Sequence, residues 1–425
     1  MVLALILFAC TYVLLLALPK YRAYVALTSA AVFIILGIIP LNKVLGAIDW
    51  NVIMMIFGTM GVVGLFIESK MPSRLADFII AKMPNVKWTI FILALFAGLI
   101  SAFIDNVATV LMIAPVALNI AKKLEISPVG MVIAIAVSSN LQGAATLVGD
   151  TTSILLGGEA NMNFLDFFFF KGKVGIFWVV QAGALVSALI LLWIFRKETA
   201  KVEEVQKTEV KDYFPTVLLL GVIVLLIIAS FFPKLSAATG GLINGIICVS
   251  LFIVGITRKI IVKREIKPFV EALKEIDYTT LLLLIGLFVV IGGITEAGVI
   301  DKISQLFVKA SGNNLFLIYT LILWASVLFS AFIDNIPYVA TMLPVVSAIA
   351  LQLGIEPYIL YFGLLVGATL GGNLTPIGAS ANIAGIGILR KEGYEVKNSD
   401  FFKIGIPFTL AAVITGYLLL WFIWS

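Results

Sequence analysis

Two copies of one six-residue string, Ser-Ala-Phe-Ile-Asp-Asn, stand at Ser101–Asn106 and Ser330–Asn335 in otherwise apolar surroundings. An aspartate surrounded by apolar sequence is costly unless it faces protein, water or an ion. Each Asp-Asn pair therefore reads as the tip of a re-entrant hairpin. Frayed helix ends there would present backbone groups to an ion while the carboxylate supplies charge. The bland reading is a helix cap, in which the aspartate accepts from backbone amides. Asp105, Asn106, Asp334 and Asn335 are accordingly candidate ion ligands, with sodium as the metal ion that such oxygen donors suit. The chain has no histidine, so a proton carried through it would ride on Asp or Glu, or on substrate.

A second constellation is Asn140-Leu-Gln-Gly-Ala-Ala-Thr-Leu-Val-Gly-Asp150-Thr-Thr, paired with Gly371-Gly-Asn-Leu-Thr-Pro-Ile-Gly-Ala-Ser-Ala-Asn382. A stretch so rich in Gly, Thr and Asn reads as an unwound helix centre that coordinates an ion or a small substrate. Close helix packing through small residues explains the glycines. It does not explain Asn140, Thr146, Asp150, Thr151, Asn373, Thr375, Ser380 and Asn382 together. The copies diverge here, because Asp150 stands opposite Ala379 and Ser153 opposite Asn382. Asp150 is thus a third intramembrane acid found only in the first half, and a candidate proton or cation carrier.

These residues need elements to hold them, and composition says which. Hydrophobic residues make up 61% of the chain and charged ones 12%. A soluble domain carries about a quarter charged residues. Apolar runs long enough to cross a bilayer recur from end to end, for example Met1–Leu18, Trp88–Ile104, Phe214–Phe232 and Tyr278–Ile294. The expected class is an all-α polytopic membrane protein, whose partner is the lipid bilayer. Crossings are expected near 2–18, 23–40, 49–67, 129–158, 174–195, 214–232, 237–257, 278–296, 357–388 and 404–424, with hairpins at 88–123 and 315–351. The crossings at 129–158 and 357–388 would be broken at midplane. With these spans, 23 of the 29 basic residues fall on one side, which the positive-inside rule makes cytoplasmic. Both termini then lie outside. The net charge of +5 forms no basic face, so nucleic acid is not an expected partner. Cys10 and Cys248 make neither a metal cage nor a disulfide framework.

Ile48-Asp49-Trp50 matches Ile276-Asp277-Tyr278, and Gly58, Gly64 and Glu68 match Gly286, Gly292 and Glu296, all at an offset of 228. The string at Ser101 recurs at an offset of 229, as do Pro115, Pro128, Gly143, Thr146 and Gly149. The two units span about 48–180 and 276–410. Residues 1–47 are N-terminal spans, 181–275 hold a span, a charged linker and connecting helices, and 411–425 finish the last span. An odd number of crossings separates the two starts, so the units are expected to be inverted. Inverted repeats with interrupted helices are the architecture of alternating-access carriers. Glu68 and Glu296 read as interfacial, and Phe167–Phe170 with Trp421 and Trp424 as an interfacial belt. The charged stretch Arg196–Asp212 reads as a solvated linker between halves.

Ser-Ala-Phe-Ile-Asp-Asn-Ile-Pro-Tyr-Val-Ala-Thr-Met at 330–342 and Gly-Gly-Asn-Leu-Thr-Pro-Ile-Gly-Ala-Ser-Ala-Asn-Ile at 371–383 resemble the ion transporter superfamily. The branch with the most similar motifs holds the arsenite permeases and the melanosomal P protein. Sodium/proton antiporters and citrate-type carriers are further relatives. The resemblance implies a homodimer with a scaffold and a mobile transport domain working as an elevator, each site combining a hairpin tip with an unwound helix centre. Dicarboxylate carriers of the superfamily place a neutral Ser-Asn-Thr at the tips. Asp105-Asn106 and Asp334-Asn335 stand there instead, and two carboxylates repel a polyanion unless cations neutralise them. No cysteine lies in either motif, which excludes thiolate coordination of arsenic.

The expected function is secondary active transport of a small inorganic ion, driven by sodium or protons, from the plasma (inner) membrane. Arsenite or antimonite efflux is the alternative, with a dicarboxylate carrier or an ion channel behind it. No nucleophile–base set or metal motif suggests an enzyme, and no cofactor is expected beyond sodium.

Overall fold

The computed structural model describes residues 1–201, 208–210, 212–263 and 267–425. Lys207, Lys211 and Arg264, counted above among the basic loop residues, lie outside the described residues.

Helices α1 (Val2–Ala17) and α2 (Arg22–Ile35) meet at 111° across one short turn. The short α3 (Leu41–Ala47) leads to α4 (Trp50–Glu68) and the amphipathic α5 (Met71–Ile80). Next, α6 (Val86–Ser101) and α7 (Asn106–Lys123) flank a tight turn, and α8 (Val129–Gln142) and α9 (Thr151–Glu159) flank an irregular break. A two-stranded antiparallel ribbon, β1 (Phe169–Phe170) with β2 (Lys173–Val174), precedes α10 (Ile176–Ile194). Beyond the linker come α11 (Phe214–Ser230), α12 (Pro233–Ala238), α13 (Ile243–Lys263), α14 (Lys267–Lys274) and α15 (Tyr278–Glu296). The chain then forms α16 (Val299–Ser311), α17 (Leu315–Ser330), α18 (Asn335–Leu353), α19 (Tyr358–Gly371), α20 (Ser380–Lys391) and α21 (Asn398–Trp424).

The two halves start their helices with the same chemistry. Asp49 accepts from the Val52 amide at 3.0 Å and Asp277 from the Thr280 amide at 3.1 Å. Asn85 caps α6 through the Trp88 amide, and Asn314 caps α17 through the Leu317 amide. Asp105 and Asp334 cap α7 and α18. An N-terminal helix turn has amides without intrahelical partners, and each such cap contributes about 1 kcal/mol. Packing is reciprocal as well. Helix α2 lies on α15 while α13 lies on α4; α6 and α7 pack on α8 as α17 and α18 pack on α19; and α10 lies along α21. One continuous apolar core runs through all of these contacts.

A helix stands at each of the ten expected crossings and both expected hairpins. Among the described residues, six single helices are long and apolar enough to cross a membrane: α4, α10, α13, α15, α18 and α21. The bent pairs α1–α2 and α16–α17 bring the number to eight. Several boundaries move. The span expected at 237–257 runs from 243 to 263, because Thr239-Gly240-Gly241 forms a turn. Arg258 and Lys259 therefore sit on α13, where Arg258 pairs with Asp212 at 2.5 Å and Lys259 with Glu68. Glu296 pairs with Lys43 at 2.7 Å, so both span-ending glutamates are ion-paired. The last span starts at 398 rather than 404.

The aromatic residues expected to form an interfacial belt differ in exposure, with Phe169 open at the surface. Phe167 is fully buried, Phe170 lies 4.8 Å from Tyr358, and Trp424 lies 4.9 Å from Phe362. The ribbon at 169–174 is thereby fixed to the start of α19 and the end of α21. Cys10 and Cys248 are both free, the first exposed and the second buried.

The described parts of the linker are docked to the first half. Val86 and Lys87 donate their amides to Ala200 and Glu198 carbonyls at 3.0 and 2.9 Å. Thr208 donates its amide and its hydroxyl to the buried Asp77 carboxylate at 2.8 and 2.6 Å. Burial pushes the Asp212 carboxyl up, but the Arg258 guanidinium and the Phe214 amide outweigh it and hold the group below its usual range. Removing the Asp77 acceptor strands two donors at the base of α5. Asp77→Ala is expected to lower stability by about 1–3 kcal/mol, read as an earlier thermal unfolding transition in detergent.

Candidate functional site

The turn at 102–105 and the break at 143–150 are built as one interlocking unit, and the second half repeats it. Thr146 donates its hydroxyl to the Ala102 carbonyl, and Thr375 donates its hydroxyl to the Ala331 carbonyl. A Cβ at Gly149 would sit 2.7 Å from Gly143 O, 2.8 Å from Ala102 O and 3.0 Å from Ser101 O. At Gly378 it would meet Gly372 O at 2.6 Å, Ala331 O at 2.7 Å and Ser330 O at 2.8 Å. Glycine is thus required at both positions, where two backbones touch. Ser153 and Asn382 take the same place in the two units. Ser153 donates to Gly143 O at 3.0 Å and Asn382 donates to Gly372 O at 3.2 Å. The Oδ1 of Asn382 is buried with no partner, an acceptor left over inside the second break.

Asn140 ties the two units together. It accepts from Asn106 Nδ2 at 3.0 Å and donates to Thr369 O at 2.7 Å and Asn373 Oδ1 at 3.1 Å. Asn373 in turn donates to Val137 O at 2.8 Å. All five residues are buried, and a fully paired polar network in an apolar interior fixes one arrangement of the elements.

The three acids sit at three half-helix starts. Asp105 Oδ1 accepts from the Ala108 amide at 3.0 Å, and Asp334 Oδ1 from the Ile336 amide at 3.1 Å. Asp150 Oδ1 accepts from the Thr151 amide at 2.8 Å, and its Oδ2 from Thr152 Oγ1 at 3.2 Å and Asn335 Nδ2 at 3.4 Å. Asp105 and Asp334 are caps, as the bland reading expects of them, and Asp150 is a third. Each cap leaves carboxylate lone pairs free for another ligand. The fourth start, at α20, has Ala379 in the cap position and no side-chain acceptor.

A cavity of about 210 Å³ opens among these groups. Asp105, Asn106, Asp150, Thr151, Asn335 and Ser380 line it, and Asp334 lines an adjoining cavity of about 760 Å³ that Ser380 shares. Asn140, Thr146, Asn373, Thr375 and Asn382 lie behind the wall, where they brace the tips and breaks rather than face the space. Four acidic side chains, Asp105, Asp150, Glu275 and Asp277, and one basic one, Arg22, line the smaller cavity. That balance favours cations. Among the described residues no group of three His, Cys, Asp or Glu side chains is gathered closely enough to cage a metal. Sodium would thus draw on amide, hydroxyl and carbonyl oxygens as well as single carboxylates.

Sequence reasoning missed Arg22, Asp277, Thr152 and Thr369. Arg22 Nη1 bonds Asp334 Oδ2 in an ion pair whose two side chains are each about one-fifth exposed. In the sequence it stands beside Lys20 in the short stretch between the first two expected crossings. Thr152 and Thr369 share a hydroxyl contact at 3.1 Å, and Thr369 is the counterpart of Asn140, a position that the repeat offset could have flagged.

With this geometry in view, comparison with known proteins is informative. The family model described as citrate transporter (CitMHS) matches residues 12–367. The chain belongs to the citrate transporter family. An uncharacterized transporter of Mycobacterium tuberculosis is 31% identical over 436 residues, covering 99% of this chain and 98% of that one. The P protein of Mus musculus is 26% identical over 479 residues, covering 93% of this chain and 56% of that one. Among solved structures, the YdaH transporter of Alcanivorax borkumensis superposes with a TM-score of 0.59 at 15% identity, covering 89% of this chain and 86% of that one. The MtrF structure of Neisseria gonorrhoeae, described as one of a class of antimetabolite efflux pumps, gives 0.55 at 17% identity over 88% and 80%. These two likenesses concern the fold. The citrate transporter family member is a transporter and an integral, multi-pass membrane protein, as its resemblance to the ion transporter superfamily implied.

The close contacts at the breaks yield a direct test. Gly149→Ala and Gly378→Ala are each expected to lose about 1–3 kcal/mol of stability from overpacking. Gly387→Ala, inside α20 where a Cβ meets nothing within 4 Å, should instead keep or slightly raise the melting temperature.

Proposed function

We propose that this protein is a secondary active transporter of a small inorganic ion, coupled to sodium or protons, that works by elevator-type alternating access. The observation that carries the reading is an acidic cavity walled by both hairpin tips and both broken helices. A site assembled from matching parts of two repeated units is one that either side of a membrane can reach in turn. Its volume, about 210 Å³, holds roughly seven waters at ~30 Å³ each, which suits a small ion keeping part of its hydration. Asp105, Asp150 and Asp334 bind the cation or proton, and Asn106, Asn335, Thr151 and Ser380 complete the site.

The cavity's position supports a moving site. It lies beside the C-terminal half of α4 (Met60–Ile67) and the N-terminal end of α15 (Asp277, Thr280). At the opposite ends of α4 and α15 lies a separate cavity of about 600 Å³, lined by Asp49 and Glu296. The site is therefore at one end of its travel along these helices, nearer the face with the basic loops. In this reading α1–α4 and α11–α15 form the scaffold, the protein is a homodimer, and the plasma membrane is its location.

Arsenite or antimonite efflux is the second reading, supported by Asn and Thr donors that suit a neutral oxyacid. Citrate, the cargo in the family's name, fits the acidic cavity only when cations accompany it.

Flux into proteoliposomes under imposed sodium and proton gradients, with sodium, arsenite and dicarboxylates compared, tests the assignment. Asp105→Asn and Asp334→Asn should each reduce transport at least about a hundredfold while the protein still folds, because binding of a charged partner is lost. Wild-type flux in both variants would leave the two aspartates as caps only. Asp150→Asn keeps one cap acceptor and should abolish the coupling while leaving residual substrate exchange.

A further inference from the structure

We propose that Arg22 is a tethered cation that competes with the coupling cation for Asp334, and that it does so at only one end of the transport cycle. The inference rests on the reading that Asp334 is a cation ligand.

Asp105 and Asp334 are repeat-related residues that each cap a helix, yet their charge environments differ. Asp334 is ion-paired to Arg22, whereas no basic side chain pairs with Asp105 among the described residues. Arg22 is not part of either hairpin or either broken helix. It begins α2, which packs on α15. The guanidinium thus reaches across from the elements read as scaffold to the elements read as mobile. It lines both the 210 Å³ cavity and the adjoining 760 Å³ cavity, so the ion pair stands between them. Both side chains retain about one-fifth of their exposure, which leaves water and ions a route to the pair.

The device is one-sided. Gly286 meets Ala26 and Gly293 meets Phe33 where Gly58 meets Cys248 and Leu65 meets Gly255, so an offset of 222 relates α2 to α13 and Asn244 stands in the position of Arg22. When the mobile elements move along α4 and α15 to the other end, Asp334 leaves Arg22 behind, and its counterpart Asp105 meets no arginine at the matching position on α13. A cation then binds Asp334 without competition. On return, the guanidinium takes the Oδ2 that the cation held, and the cation departs toward the basic-loop face. The same contact neutralises Asp334 once the cation has gone, so the emptied site does not keep an unpaired carboxylate beside Asp150 and Asp105.

Binding affinity of the purified protein tests this. Sodium chloride is titrated against choline chloride at pH 8, and protons are titrated from pH 8 to pH 5 in choline, each followed by intrinsic tryptophan fluorescence. For the cation that wild type binds, Arg22→Gln and Arg22→Met should lower the half-saturating concentration at least about tenfold, and Arg22→Lys should stay within about twofold, because it keeps the charge. Adding Asp334→Asn to Arg22→Gln should remove the gain. A merely structural arginine would weaken binding when lost, not tighten it. Unchanged or weaker binding in Arg22→Gln and Arg22→Met overturns the proposal, as does a gain that survives Asp334→Asn. Wild-type protein that binds neither cation overturns the coupled-transport reading itself.

Discussion

Everything in this structure depends on how two interrupted helices satisfy their backbone away from water. A broken helix exposes carbonyls and amides that are expensive to leave unpaired in an apolar interior. Here each break is closed by the neighbouring hairpin turn. Thr146 and Thr375 reach the carbonyls of that turn, and Gly149 and Gly378 allow the two backbones to touch. Hairpin and broken helix become one rigid piece in each half. Asn140, bonded to both Asn106 and α19, joins the two pieces. Because the backbone needs are met behind the wall, the cavity in front is free for side chains that bind.

The frame is repeated but the chemistry placed on it is not. Asp150 faces Ala379 across the repeat, so three half-helices begin with an acid and the fourth with none. Ser139 bonds Ser101 Oγ and Asn106 O, each at 3.0 Å, while its counterpart Ala368 offers only a carbonyl, which Ser330 takes at 2.5 Å. Asn106 turns to Asn140 and its counterpart Asn335 turns to Asp150. In the proposed mechanism the duplicated scaffold would give two-sided access, and these departures from symmetry would give the site a direction.

Much of this was legible in the sequence, for a physical reason. Duplication prints each constraint twice, so the tips at Asp105 and Asp334 and the breaks near Gly143 and Gly372 stand out against an apolar background. Helices α5 and α16 were not legible as spans or loops, because their amphipathic faces place charges at regular intervals within short segments. The span at 243–263 was displaced because Arg258 and Lys259 look like loop residues until Asp212 and Glu68 are seen to pair with them. The linker looked solvated because its anchors, the Asp77 carboxylate and the Val86 and Lys87 amides, are distant in sequence or belong to the backbone. Arg22 was hidden for the same reason: its partner is Asp334, in the other half of the chain. Pairings across such distances leave no trace in local composition.

The central claim is that three carboxylates lining two adjoining cavities bind the ion that drives transport. Solid-supported membrane recordings test it most directly, by applying a sodium jump and a proton jump to proteoliposomes with no other substrate present. The account predicts a transient charge displacement for one of the two cations in wild type. It predicts none in the folded Asp105→Asn, Asp150→Asn, Asp334→Asn triple variant. The same displacement in the triple variant, or no displacement for either cation in wild type, would contradict it.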